Sequence, residues 1–114
     1  MTTDLNKLSE QEQVELTAKV MGYELLWPSV DDLAPTIKAT FEYWRPRTNS
    51  ADALVLAAKL EMHIEHSDSE KSVTCYPRGR FDCSSTVPHD SDKVAAIRVA
   101  IFQAAVLFGM SLPA

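Results

Sequence analysis

Two cysteines stand eight positions apart in "VTCYPRGRFDC", residues 73–83, on either side of a Pro-Arg-Gly turn. Thiols so placed can grip a metal, form a disulfide, or fill a core. With Arg78-Gly79-Arg80 as the loop and Gly79 at its left-handed position, Cys75 lies opposite Cys83. Side chains alternate along a strand, so Val73, Cys75, Phe81 and Cys83 share one face. Thr74, Tyr76, Asp82 and Ser84 share the other. The first set is apolar. Free cysteine is among the most buried residue types, so core packing is the preferred reading. A cross-strand disulfide fits such a pair but not a reducing compartment. Zinc would have to recruit His63, His66 or His89. In a strand, His63 and His66 face opposite sides, and the sequence has neither CxxC nor HxxxH spacing.

Other reactive side chains carry less. His63 between Glu61 and Glu65 has the composition of an acid–base group. Nothing beside it supplies a nucleophile or an oxyanion site, so it reads as part of a solvated face. "CSSTVPHDSD" contains Ser, His and Asp, yet a triad is an arrangement in space and not a run of sequence. Ser85, Thr86 and Asp90 fit loop and cap positions better. Three glycines in the whole chain cannot build a phosphate-cradling loop. No catalytic residue, metal ligand or cofactor is assigned, and the chain is expected not to be an enzyme.

"YWRPR" points elsewhere. Tyr43, Trp44, Arg45 and Arg47 cluster around a proline in a loop, and Trp27-Pro28 is placed to join them. Aromatic residues and arginine dominate the energetics of protein interfaces, and loops are where binding residues concentrate. Trp27, Tyr43, Trp44, Arg45 and Arg47 are therefore the candidate contacts for a protein partner. The competing reading is that both tryptophans pack on the edge of the core.

The elements that position these residues follow from periodicity and caps. Ser9 with Glu12 forms a capping-box pattern, and Gly22 is placed to end the helix that follows, over 9–21. "YELLWP" reads as a short edge strand ended by Pro28. Asp31-Asp32 resembles a helix start that Pro35 interrupts. Beyond it, Ile37, Ala39, Phe41 and Tyr43 alternate with polar residues, which favours a strand over a short helix. Asn49 or Ser50 caps a second helix with Asp52 in its first turn. Its apolar face is read as Ala53, Leu54, Ala57, Ala58 and Leu60. Three strands follow, in "EMHIEH", "SVTCY" and "RFDCSST", with "SDSE" as the first turn. Ser91 is the expected cap of a last helix that runs to about Phe108 and meets Gly109. Short connections make the three strands antiparallel. The expected fold is α+β: an antiparallel β-meander packed with three helices in a layered, α/β/α-like sandwich.

The last helix is apolar nearly all round. Lys93, Arg98 and Gln103 are spaced by five, which sets them about 140° apart around the axis. Val94, Ile97, Ile101, Ala104 and Phe108 suit the sheet. Ala95, Val99, Phe102 and Val106 then need another cover, from the first or second helix or from a second copy. A homodimer through residues 91–109 is one expectation. Arg98 and Gln103 interrupt the apolar run short of the roughly 20 residues that span a bilayer, so it reads as a buried helix.

The totals agree with one domain over all 114 residues, the first eight a polar and flexible lead-in. Hydrophobic residues at 46% and charged ones at 24% suit a globular chain. A net charge of −5 opposes binding to nucleic acid or an anionic membrane, whose phosphates call for Lys and Arg. The N-terminus "MTTDLNKLSEQEQ" is neither a signal peptide nor a basic targeting sequence, which places the chain in the cytoplasm.

Three stretches together resemble the phage ABA-sandwich domain, a family of small phage and prophage proteins. They are "AKVMGYE" (Ala18–Glu24), "NSADALVLAAKLE" (Asn49–Glu61) and "KVAAIRVAIFQAAVLFG" (Lys93–Gly109), with "VTCYPRGRFDC" before the last. The likeness spans most of the chain and departs from the family over 29–47, which is longer and more aromatic. It implies helices packed on a sheet and supplies no catalytic residues. The expected function is that of a phage or prophage accessory protein in the host cytoplasm, acting by protein binding. Occlusion of a bacterial host or defence protein is its sharpest form. A structural homo-oligomer and a small metal-binding protein are the alternatives.

Overall fold

The capping box expected at Ser9 is formed in the computed structural model, which describes residues 7–28, 34–89 and 92–113. Ser9 Oγ accepts from the Glu12 N–H at 3.1 Å, and the Glu12 carboxylate accepts from the Ser9 N–H at 3.0 Å. The two bonds satisfy amides that a first helical turn leaves without partners. They also hold the Glu12 carboxyl below the ordinary glutamate range. Helix α1 spans Glu10–Met21 and stops at Gly22, whose φ of 76° is the left-handed geometry glycine adopts without strain.

A small ribbon follows. β1 (Leu25–Leu26) pairs antiparallel with β2 (Thr36–Ile37), with Leu25 opposite Ile37 and Leu26 opposite Thr36. The strand expected to continue through Tyr43 stops at Ile37. The Phe41 N–H donates to the Ile37 carbonyl at 2.7 Å, and the Ile37 N–H donates to the Glu42 carbonyl at 2.8 Å. These bonds close a hairpin, and Tyr43 returns to bridge Thr36. The apolar alternation therefore runs across a turn, where it has no structural meaning. Asp31 and Asp32, read as a helix start, lie outside the described residues.

Helix α2 (Ser50–Lys59) is capped by Asn49, whose side chain accepts from the Asp52 N–H at 3.0 Å. Ala53 and Leu56 are its buried residues, with Ala57 and Leu60 packed beside them. Leu54 and Ala58, assigned to the inner face from sequence, point outward. The inner stripe is the helical 53, 56, 57, 60 pattern, with Leu56 in the place given to Leu54.

The meander is present as β3 (His63–Ser67), β4 (Ser72–Tyr76) and β5 (Ser85–Pro88), antiparallel with β4 central. Its second connection differs from expectation. Cys75 faces Ser85, not Cys83. Residues 81–83 form a single 3₁₀ turn instead of strand. Arg80 grips Asp82 through two bonds of 2.9 and 2.8 Å, and Ser84 Oγ donates to the Phe81 carbonyl at 2.6 Å. Such local bonds compete with a strand ladder. Phe81 consequently turns to solvent, 71% exposed, while Cys83 stays buried.

Helix α3 (Lys93–Ser111) is capped by Asp92, whose carboxylate accepts from the Ala95 N–H at 2.9 Å. Ser91, the expected cap, lies outside the described residues. The helix does not end at Gly109. A Cβ there would stand 2.8 Å from the Leu16 carbonyl oxygen of α1, so glycine permits a close helix crossing. By length and composition α3 could cross a membrane, with a mean hydropathy of 1.8 over its best 18-residue window. Here it packs against α1, α2, β4 and β5. Of the four residues expected to need a further cover, Phe102 and Val106 are buried within the chain, while Ala95 and Val99 are only partly buried. Arg98 Nη1 donates to Ser50 Oγ at 3.2 Å, although its Nε is buried with no partner among the described residues, and Ser85 Oγ donates to Gln103 Oε1 at 2.6 Å.

The result is an α+β fold of three helices and two small antiparallel sheets. Val73 and Cys75 face α3 and are buried. The opposite face, with Glu65, Thr74, Tyr76 and Thr86, opens outward.

Candidate functional site

The β1–β2 ribbon has two sides, and their chemistry differs. Residues directly opposite in an antiparallel pair share a face. Leu25 and Ile37 face the core. Leu26, Thr36 and Tyr43 share the outer side. With Trp27, Pro28 and Ala34 they line an open groove of about 220 Å³. Trp27 is half-buried, and its indole N–H donates to the Glu15 carboxylate of α1, which fixes the ring at one wall. Tyr43 is 51% exposed at the other. The Arg45 guanidinium lies over the Tyr43 ring, 5.1 Å from its centroid. The Arg45 backbone N–H donates to the Asp52 carboxylate at 2.9 Å, tying the loop to the start of α2.

Two of the five residues expected from sequence line the groove, Trp27 and Tyr43, and Arg45 stands beside it over the Tyr43 ring. The other two are placed differently. Trp44 is 2% exposed and belongs to the core, a correction to its assignment as a surface contact. Its indole N–H donates to Thr17 Oγ1 at 3.0 Å, and its ring meets Tyr23 edge-on at 5.1 Å. Adjacent residues of an extended segment point to opposite sides, so only one of Tyr43 and Trp44 can reach the groove. Arg47 lies over the Phe102 ring of α3, 5.9 Å from its centroid, and lines no part of the groove.

Among the described residues the ion pairs are Lys38–Glu24, His63–Glu65, Arg78–Glu61 and Arg80–Asp82. Neither Arg45 nor Arg47 has a carboxylate partner among the described residues, a state they share with Lys19, Lys59, Lys71, Lys93 and Arg98. Phe41 was missed by sequence reasoning. It sits at the hairpin tip with φ 60° and is 74% exposed. Its place in the apolar alternation concealed it, because a strand reading sends it inward.

A second, shallower depression of about 600 Å³ follows the outer side of α1. Gln11, Glu12, Glu15 and Lys19 of α1 line it together with Leu8, Leu16 and Met110, so polar side chains surround an apolar floor. The thiols offer no reactive group. Cys75 and Cys83 are free and buried. Burial pushes the Cys75 thiol up to about 11 and raises that of Cys83, and a thiol so shifted is not a nucleophile at neutral pH. Among the described residues no three His, Cys, Asp or Glu side chains are grouped to hold a metal ion.

No family model, curated protein or solved structure matches this chain. What can be said of its function therefore rests on the groove.

Proposed function

We propose that this chain is a protein-binding module without turnover, which receives a segment of a partner in the groove between Trp27 and Tyr43. The observation that carries this is an aromatic, apolar groove flanked by an arginine that has no ion pair among the described residues. Fixed rings bury large area at little entropic cost, and arginine recognises carboxylates bidentately. The matching partner surface is an apolar side chain beside an acidic residue. We infer the finer form of the proposal only from the resemblance of three stretches of the sequence to the phage ABA-sandwich domain. In that form it is a phage or prophage accessory protein in the bacterial cytoplasm, and it blocks a host or defence protein by occlusion.

The test is affinity purification of the tagged chain from bacterial cells, comparing the wild type with Tyr43→Ala/Arg45→Glu. Both side chains are exposed, so the fold is expected to survive, as circular dichroism would show. A Thr86→Glu variant alters the outer face of the sheet and serves as control. The groove variant should lose a protein that the control retains. A groove variant that keeps every bound protein would sink the proposal.

A further inference from the structure

β3 is an open edge of the three-stranded sheet. His63, Ile64, Glu65 and His66 are all exposed. Among the described residues, the backbone of β3 pairs only with β4. The other edge, β5, ends in Pro88, which has no N–H to offer a further strand. β3 contains no proline, lysine or bulge, the devices by which edges avoid pairing. It also exposes an isoleucine.

We infer that β3 pairs with β3 of a second copy, antiparallel about a two-fold axis through Ile64. The product is one continuous six-stranded sheet, three strands from each copy. The register follows from the side chains. An axis normal to the sheet leaves every side chain on its own face, so only residues of one face can lie opposite each other. Three centres within the strand are then open. Centring on Glu65 sets two carboxylates directly opposite, which destabilises a pair. Centring on His66 sets two histidines opposite and leaves Glu65 against Ser67. Centring on Ile64 sets the two isoleucines together and each His63 against Glu65 of the other copy. That register alone combines an apolar pair with two reciprocal His–Glu pairs of hydrogen-bonding reach.

The groups are already arranged for it. His63 and Glu65 sit on the outer face, with His63 Nε2 2.9 Å from the Glu65 carboxylate. The imidazole is stacked on Tyr76 at 5.0 Å, which limits its rotation. Pairing would turn a contact within one strand into two across the axis. Because the axis preserves faces, α3 of each copy lies on the same side of the joined sheet. The Trp27–Tyr43 groove is formed by the other sheet, so this contact is independent of the proposed binding site.

The full chain can test this on itself by sedimentation velocity from 1 to about 200 µM. The wild type should dimerise. His63→Glu and Glu65→His each set like groups opposite and should weaken the dimer at least tenfold. The exchange His63→Glu/Glu65→His restores opposite pairs and should recover it. Circular dichroism would confirm that each variant is folded. Directly opposite residues in a sheet bring their Cα atoms within about 4.5–5.5 Å, inside disulfide range. Because Cys75 lies directly opposite Ile64 within the same chain, the cross-link is read in a Cys75→Ala background, where Ile64→Cys should join two copies on oxidation and Glu65→Cys should not. A wild type that remains monomeric throughout overturns the inference, even if β3 then accepts a strand from another protein. So does a dimer indifferent to the single substitutions, or one that cross-links faster through Glu65→Cys.

Discussion

Phe41 strains the folded chain and gains little in return. Its φ of 60° is a conformation that bulky side chains rarely adopt, and its ring is left in water, where folding buries little of it. A glycine at this hairpin tip would avoid the strain. Phe41→Gly is expected to raise the unfolding free energy by up to about 1 kcal/mol. Relief of roughly 1–2 kcal/mol of left-handed strain exceeds the roughly 0.5–1 kcal/mol of extra chain entropy that glycine brings. Urea unfolding of the purified variant measures this, and a loss of stability would mean the ring packs on something in the folded chain. Such strain is often kept where it serves a function, and this hairpin carries Thr36 and Tyr43 of the groove.

Cys75 makes a prediction of opposite character. Its thiol is raised to about 11 because burial disfavours the thiolate. A raised folded value means the unfolded chain loses this proton first as pH climbs. The stability linked to Cys75 is complete below the ordinary thiol value and is lost as pH rises to about 11. Cys75→Ala should flatten the fall in Tm above pH 9. In native protein at pH 8 both thiols should react with a disulfide reagent slowly, and in denaturant both should react at once.

At the scale of elements, Gly109 governs how closely α1 and α3 approach. Gly109→Ala adds a methyl group 2.8 Å from the backbone oxygen of Leu16, which cannot swing aside. The better helix propensity of alanine returns about 1 kcal/mol, against an overpacking cost of roughly 1–3 kcal/mol. A net loss of about 1 kcal/mol is expected by chemical denaturation. The first helix was legible from sequence because its caps and its period are local signals. Gly109 was misread as a helix end because glycine serves both as a stop and as a close-contact residue, and only the position of Leu16 separates the two. The β4–β5 register was misread for a related reason. Alternation places Phe81 inside, but the Arg80–Asp82 fork folds those residues into a turn before the strand begins. The candidate site was half legible: Trp27, Tyr43 and Arg45 stand out by type and by neighbouring proline. Trp44 shares that signal, yet its partner Thr17 lies 27 residues away on α1, and no local pattern reports such a contact.

For the whole molecule, net charge and ion pairing set the response to acid. Arg80 holds the Asp82 carboxyl below the ordinary aspartate range, chiefly through their hydrogen bonds, and the capping box does the same for Glu12. A depressed folded value means the unfolded chain takes up the proton first as pH falls. The stability linked to both groups is present at neutral pH and is lost as pH falls through their folded values. Asp82→Asn should therefore lower Tm at pH 7 and reduce the further drop between pH 5 and pH 3. An unchanged acid profile would show that the exposed fork is screened by solvent, as many surface pairs are.

The account as a whole stands on the groove being where a partner sits. The direct measurement is site-specific photo-cross-linking in bacterial cells, with a photoreactive phenylalanine analogue at Tyr43 and, as control, at Thr86. A discrete protein adduct from position 43 and none from position 86 is the predicted result. No adduct at 43, or the same adduct from both positions, would contradict it.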